Sequence, residues 1–530
     1  MSMTSGLASI ASWADDRMNP IVVKELRQAV QSRFIVSILM LFLVVLLVTL
    51  LMYILNTDTI GQVTGNHGAN LFHIFQGMLL ITCLFFVPVY VGGRLSVERS
   101  STTSDLLFVS TIRPSSIVWG KLLAGMIVTA LIFSACAPFM VVTYLLRGID
   151  PPTIMFVIGL DLLVVLAAVQ MAILIGAVQI SLAIKIFLGL FLGVGFISWL
   201  TAIAFMMVWE ISTGGFGSRM GDWEFWAPVL GFVVSWLSGV GLVFFLTVAL
   251  ISPPPSNRAF PLRLYMTVVW AVSLGVFMYL EHYYGHHEMV LAWAAFASTI
   301  LLISMVVAVS ERDKLGPRLR RSIPKNLLLR VPAFFLFSGA ASGLCWSILM
   351  TALTLSIASY DQFTATGRSP FSDNDIQMLA AIGICGLYLL AYALTAVLLR
   401  RWLFKHAAAV ASTTAIAIFL VAMGSIVPVI MVWVMHPNDW DIRGDWWLAL
   451  NPLAPIFELD YGGWSRIQTR GFFISAFWVI VMVLLNIRWF VRQVVDFRPL
   501  TDDAPDMGVG PIAASATAAA PTETGATTDG

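Results

Sequence analysis

The chain has 530 residues, of which 59% are hydrophobic and only 11% charged, with a mean hydropathy of +0.89, against roughly 25% charged residues in an average soluble domain. Such a composition describes an integral membrane protein, and a net charge of +1 supplies no basic face for nucleic acid. Cys83, Cys136, Cys345 and Cys385 all lie in apolar runs without CxxC or Cys/His spacing, which excludes a disulfide framework or a zinc motif and leaves them as small hydrophobes.

Residues 1–18 lack a basic leader followed by an apolar core and a cleavage site, so no cleaved signal peptide is expected and the first apolar span serves as the insertion signal. They read as a flexible N-terminus. In NPIVVKELRQAVQSR, residues 19–33, Asn19 is an N-cap candidate and Pro20 takes the first helical position. Val22, Leu26, Ala29 and Val30 recur at helical spacing on one side, with Lys24, Glu25, Arg27, Gln28 and Gln31 on the other. The pattern predicts an amphipathic helix lying on the inner membrane surface.

A bilayer core takes about 20 apolar residues per helix. Twelve stretches qualify: Phe34 to Leu55, Ala69 to Val91, Val118 to Leu146, Ile154 to Leu182, Ile186 to Val208, Ala227 to Ile251, Leu264 to Leu280, Met289 to Val309, Val331 to Ile357, Ile376 to Leu399, His406 to Val434 and Gly471 to Phe490. The fold class expected is therefore all-α and polytopic, with about twelve transmembrane helices. With both termini in the cytoplasm, all but six of the 30 Lys and Arg residues fall on the cytoplasmic side, as the positive-inside rule requires. The six outside are Arg147, Arg219, Arg368, Arg443, Arg466 and Arg470. Trp209, Trp223, Trp226, Trp440, Trp446, Trp447 and Trp464 gather at the outer interface as an aromatic belt.

Between the second and third spans runs VERSSTTSDLLFVSTIRPSSIVWGKLLAG, Val97 to Gly125. Ser100 to Thr103 offer hydroxyl caps, Asp105, Leu106, Leu107 and Val109 form a short helix with an apolar side, Arg113-Pro114 ends it, and Ser115 or Ser116 caps the next helix. A short helix held below the membrane is an element that docks into a groove on a partner. A plainer reading has Arg99 and Arg113 fix topology alone.

The order of NP, KE and LR before the first span, then ER, a hydroxyl pair, LL, T-x-x-P and GK, resembles the permease subunits of ATP-binding-cassette type-2 exporters. The matching positions are Asn19, Pro20, Lys24, Glu25, Glu98, Arg99, Thr102, Thr103, Leu106, Leu107, Thr111, Pro114, Gly120 and Lys121. The resemblance implies a six-span half over residues 34–252 with a coupling loop at 94–117. It implies that the interfacial helix and this loop meet a separate ABC-type ATP-binding subunit, with Lys24, Glu25, Glu98, Arg99, Thr102, Thr103, Leu106, Leu107 and Pro114 as the coupling residues. ATP and magnesium then belong to that partner and no cofactor to this chain, which is a plasma-membrane transport subunit and not an enzyme. A second permease chain or a homodimer is the further partner the family implies, with membrane lipid around it. The chain itself has no GxxxxGK[ST], since Gly120-Lys121 is followed by leucine.

After Pro253-Pro254-Pro255 come residues 253–498, a second membrane half of about six spans. Within it ERDKLGPRLRRSIP, Glu311 to Pro324, follows the second span as Glu98-Arg99 does in the first half, but without the hydroxyl pair or LL. A fused second copy and an added membrane domain both fit. The tail, residues 499–530, is rich in Ala, Thr and Pro and reads as disordered.

His282, His286, His287 and Glu288 fit no defined zinc spacing and read as a short outer turn, and Asp439, Asp441 and Asp445 lack the glycine and distal glutamate of a calcium loop and read as solvated interface. Asp161 is an acid well inside a span, with Gln170 nearly opposite and Gln179 five turns on. Intramembrane acids are costly and tend to be functional, so Asp161 is a candidate intramembrane polar site, open between pairing and transport. Gly189-x-x-x-Gly193 and Gly339-x-x-x-Gly343 permit close helix packing. Two rival functions remain: a membrane-embedded enzyme acting on lipid through the outer loops, and an ion-coupled carrier using Asp161.

Overall fold

A computed structural model describes residues 20–56, 67–100, 113–146, 150–178, 183, 185–186, 189–190, 221, 223–253, 255–285, 289–366, 374–403, 409–435, 446–457 and 466–499. Its described residues are helical and hold no strand, and eleven of their helices are long and apolar enough to cross a membrane. The protein is an all-α polytopic membrane protein. In chain order the helices are α1 (Pro20–Val30), α2 (Arg33–Asn56), α3 (His67–Ser100), α4 (Pro114–Leu145), α5 (Pro151–Ala177), α6 (Trp223–Ile251), α7 (Ala259–Tyr284) and α8 (Met289–Ala308). They continue with α9 (Pro317–Arg321), α10 (Leu327–Leu336), α11 (Ala340–Thr366), α12 (Asn374–Leu403), α13 (Ala409–Met435), α14 (Ala454–Phe457) and α15 (Arg466–Asp496). The expected fifth span, Ile186 to Val208, the N-terminus 1–18, Asn19 and the tail from Leu500 lie outside the described residues or nearly so.

The chain forms two compact units, one of Met1–Thr299, Leu336–Ser338 and Leu353–Pro370, the other of Ile300–Phe335, Gly339–Ala352 and Phe371–Gly530. The division does not coincide with the triple proline, and α7 belongs with the first unit.

In the first unit, α3, α4, α5 and α6 bury Phe72, Phe75, Leu79, Val118, Val128, Val165, Val169 and Ile173 against one another, while α2 adds Phe42 and Leu46. The other side of α2, from Phe34 to Leu55, is exposed apolar surface suited to lipid. Proline sets the starts. Pro114 follows Arg113 in extended backbone and Pro151 follows Asp150 likewise, since proline's missing N–H is no loss in the first helical turn. Ser115 and Ser116 therefore lie inside α4 and do not cap it, and Arg113 makes no side-chain cap hydrogen bond. Spans two and four approach backbone to backbone: a Cβ on Gly92 would stand 2.7 Å from the Ala172 carbonyl oxygen, and one on Gly176 2.6 Å from that of Gly92. Of the GxxxG candidates, Gly193 lies outside the described residues, and Gly339 sits in a helix break.

That break revises the ninth span. The stretch expected to run from Val331 to Ile357 is interrupted after α10, and the span is α11, starting at Ala340. The interruption is stabilised by acceptors from the 311–313 loop: the Glu311 carboxylate takes the Gly339 N–H at 2.7 Å and the Arg312 carbonyl takes that of Ala340 at 3.2 Å. Those N–H groups are among the donors that a helix start leaves unsatisfied. In the same unit α12 packs on α15 and α13, with Ile384, Tyr388 and Tyr392 at its centre and the Tyr388 hydroxyl donating to the Ala449 carbonyl. The short seventh span proves to be a full helix, α7, closed by Gly285 at φ 68°, a left-handed position that glycine occupies without a Cβ clash.

Candidate functional site

Three helices of the first unit converge on one ammonium. Lys121 lies two turns inside α4 and is 3% exposed, with its Nζ 2.9 Å from Glu25 Oε1 on α1 and 2.8 Å from Glu98 Oε2 in the last turn of α3. Burial of an ammonium in apolar surroundings is tolerated only with such partners. The pairing corrects the reading of α1: Glu25 does not belong to its polar side but to the buried one, with Val22 and Ala29, while Lys24, Arg27 and Gln28 are exposed. Lys121 attracts Glu25 inward, and the i, i+3, i+4 spacing of Val22, Glu25 and Ala29 puts all three on one face.

The ER pair is also relocated. Residues 94–100 continue the span helix α3 and are not loop. One residue after Glu98, Arg99 turns the other way and donates from Nη1 to the Ala177 carbonyl at 2.8 Å, at the C-terminus of α5. Lys185 joins that end, donating to Ser96 Oγ at 2.8 Å and to the Gly176 carbonyl at 3.4 Å. Cations suit a helix C-terminus, whose last carbonyls lack helical partners. Burial and the neighbouring Arg99 charge lower the Lys185 pKa from its ordinary value. Of the remaining coupling candidates, Pro114 opens α4 and Lys24 is exposed beside the triad. Thr102, Thr103, Leu106 and Leu107 lie outside the described residues, as do Asp105, Val109 and Thr111.

Lys121 is a position of the family resemblance that was not named among the coupling residues, and Lys185 entered only as one of the cytoplasmic positive charges. The missed signal is position: a lysine embedded in IVWGKLLAGMIV must find a counter-charge within the bundle.

Asp161 is 6% exposed and accepts at Oδ1 from Gln76 Nε2 of α3 at 3.2 Å, while Oδ2 makes no hydrogen bond. Gln170, on the opposite side of α5, reaches Thr247 Oγ1 of α6 at 3.3 Å. The two polar groups thus serve different helix neighbours, as their half-turn separation dictates. Gln179 lies outside the described residues.

In the second unit, Asp313 gathers Arg400 of α12 at 2.5 Å and, from α15, Trp489 Nε1 at 3.1 Å and Gln493 Nε2 at 3.0 Å. Gln493 Oε1 in turn accepts the Ala341 N–H at 2.9 Å. The ERD segment is thus a structural junction with its acids turned inward. Of the outer clusters, His286, His287, Glu288, Asp439, Asp441 and Asp445 lie outside the described residues, and His282 is exposed. Its neighbour Glu281 is buried and accepts the Val290 N–H at 3.0 Å, tying α7 to the start of α8. Among the described residues, no three His, Cys, Asp or Glu side chains group to hold a metal.

No protein-family model, curated protein or solved structure matches this chain.

Proposed function

We propose that the chain is the membrane subunit of an ATP-driven ABC transporter, of exporter type, coupled to a separate ATPase subunit through α1, the end of α3 and the segment between α3 and α4. In this reading it is a multi-pass protein of the plasma membrane with both termini in the cytoplasm, and a second permease chain or another copy of itself completes the pathway. The supporting observation is the triad. The KE, ER and GK pairs that carry the resemblance to type-2 exporter permeases supply Glu25, Glu98 and Lys121, and these three meet at 2.8 and 2.9 Å.

Such a joint suits force transmission. A partner pressing on α1 or on the segment after α3 moves span three through Lys121, without chemistry on this chain. Coupling of this kind requires the ATP-bound partner to favour one arrangement of the spans, because equal affinity for both shifts nothing. The test is whether an ATPase subunit co-purifies with this chain. Retention that falls when Leu106 and Leu107 are changed to Ser supports the assignment; transport that proceeds at full rate without any ATPase refutes it.

A second reading, an ion-coupled carrier, draws on the Asp161 oxygen that makes no hydrogen bond. It expects Asp161→Asn to abolish transport and ATP depletion to leave transport intact, whereas the ABC reading expects the reverse.

A further inference from the structure

Beside the triad, a cleft of about 480 Å³ opens between α1, α2 and α3. One wall is apolar and faces outward: Phe34, Val89 and Val97 are 46%, 54% and 69% exposed. The lining is also charged, with Lys24 exposed on α1 and Arg94 on α3. Arg94 is held in position, its Nη1 donating to the Tyr90 hydroxyl at 2.8 Å and its guanidinium carbon 5.3 Å from the Tyr90 ring centroid. Tyr90 itself stacks on Phe34 at 6.2 Å.

We propose that this cleft binds the phosphate of an anionic glycerophospholipid, with Lys24 and Arg94 on the phosphate oxygens and an acyl chain along Phe34, Val89 and Val97. The charges around it support an anion of this size. Among the described residues of the cleft and the adjoining triad, Lys24, Arg94 and Lys121 against Glu25 and Glu98 leave one positive charge, which a phosphodiester monoanion neutralises. Glu98 also lines the cleft, but its Oε2 is engaged with Lys121 at 2.8 Å. The guanidinium fork matches phosphate geometry, and basic pockets between helices at the membrane surface take anionic headgroups. The exposed apolar wall discriminates between sources of phosphate, because only a lipid covers it with hydrocarbon. A zwitterionic headgroup brings its own cation to the charged lining and loses the charge balance. A bound lipid would bridge α1 and α3, the helices that Lys121 already joins, so the joint would stiffen with the anionic content of the membrane. The inference stands on the cleft alone and does not require an ATPase partner.

The test uses the full chain in detergent, without any partner, titrated with phosphatidylglycerol, phosphatidylcholine or inorganic phosphate and read by native mass spectrometry. Phosphatidylglycerol is expected to be retained, and the Lys24→Gln, Arg94→Gln double variant to weaken it by about tenfold or more, the loss of charge-assisted contacts. Arg318→Gln with Arg321→Gln, on α9, is expected to leave it unchanged. If the double variant fails to fold, Gly93→Phe takes its place: Gly93 has open space beside its α-carbon, so the ring fills the cleft and displaces the lipid. Equal retention of phosphatidylcholine, or retention indifferent to both variants, overturns the proposal. Displacement of phosphatidylglycerol by equimolar inorganic phosphate assigns the charged lining to free phosphate and overturns the lipid.

Discussion

Among the described residues, the charged junctions at Lys121 in the first unit and at Asp313 in the second are built with opposite polarity. In the first the hub is a cation, Lys121, 3% exposed and serving carboxylates from two other helices. In the second the hub is an anion, Asp313, 33% exposed, which collects one cation and two neutral donors. The difference teaches where each junction can yield. Removing Lys121 leaves the buried Glu25 carboxylate facing the partly exposed Glu98 carboxylate without a counter-charge, whereas Asp313 spreads its interactions over Arg400, Trp489 and Gln493. The acids of the second junction, Glu311 and Asp313, take the Gly339 N–H and the Arg400 guanidinium, groups at the start of α11 and on α12. Under the proposed function the first is a joint, tying α1 to the spans, and the second a fastening.

The largest expected effect separates them directly. Lys121→Met strands Glu25 and Glu98, and breaking a buried pair from one side costs about 3–5 kcal/mol. Unfolding of the purified protein in detergent measures the loss. Adding Glu25→Gln and Glu98→Gln to Lys121→Met is expected to recover much of it, because the penalty lies in the stranded charges. No recovery would mean that the lysine's hydrocarbon stem, not its charge, holds α1.

Asp313→Asn is expected to cost less, about 1.5–3 kcal/mol, since the amide oxygen still accepts from Trp489 and Gln493 and only the Arg400 pair weakens. A loss as large as that of Lys121→Met would erase the distinction between joint and fastening. Gly92→Ala tests what the joint rests on. The added methyl meets the Ala172 carbonyl oxygen at 2.7 Å, and overpacking of this kind costs about 1–3 kcal/mol. Its effect is expected to add to that of Asp313→Asn, because the two residues share no partner.

Much of this architecture was legible in the sequence, and the exceptions have a common cause. Hydropathy located eleven of the spans because each is a long apolar run, and Pro20, Pro114 and Pro151 mark starts that local chemistry dictates. The ninth span starts later than expected because Val331 to Ile357 carries no charged residue to mark the break. Its interruption at Gly339 depends on Glu311, 28 residues earlier in the chain, and no local window contains both. Glu25 was misassigned for the same reason: helical periodicity sorts residues by hydropathy, and a buried glutamate looks polar until Lys121, 96 residues away, is brought beside it. The resemblance motifs gave the members of the triad, but not that they touch. The packing glycines were missed because Gly92 and Gly176 meet across helices and share no GxxxG spacing.

The smallest expected effect on stability carries the most about function. Glu98 is 33% exposed, so Glu98→Gln removes a partly solvated charge and is expected to cost about 1 kcal/mol or less. Glu25 keeps Lys121 paired at 2.9 Å in that variant, and the bundle stays intact. If the triad transmits work from an ATPase, Glu98→Gln loosens the link between α3 and α4 while leaving α1 attached. The ATPase should then still co-purify, but its ATP hydrolysis should no longer respond to the presence of this chain. Glu311→Gln, changed at the fastening of the other unit, should leave that response untouched while destabilising the α11 start by a comparable amount. Equal loss of response in both variants would mean that stability alone was being read, and the contrast between the two junctions would carry no functional meaning.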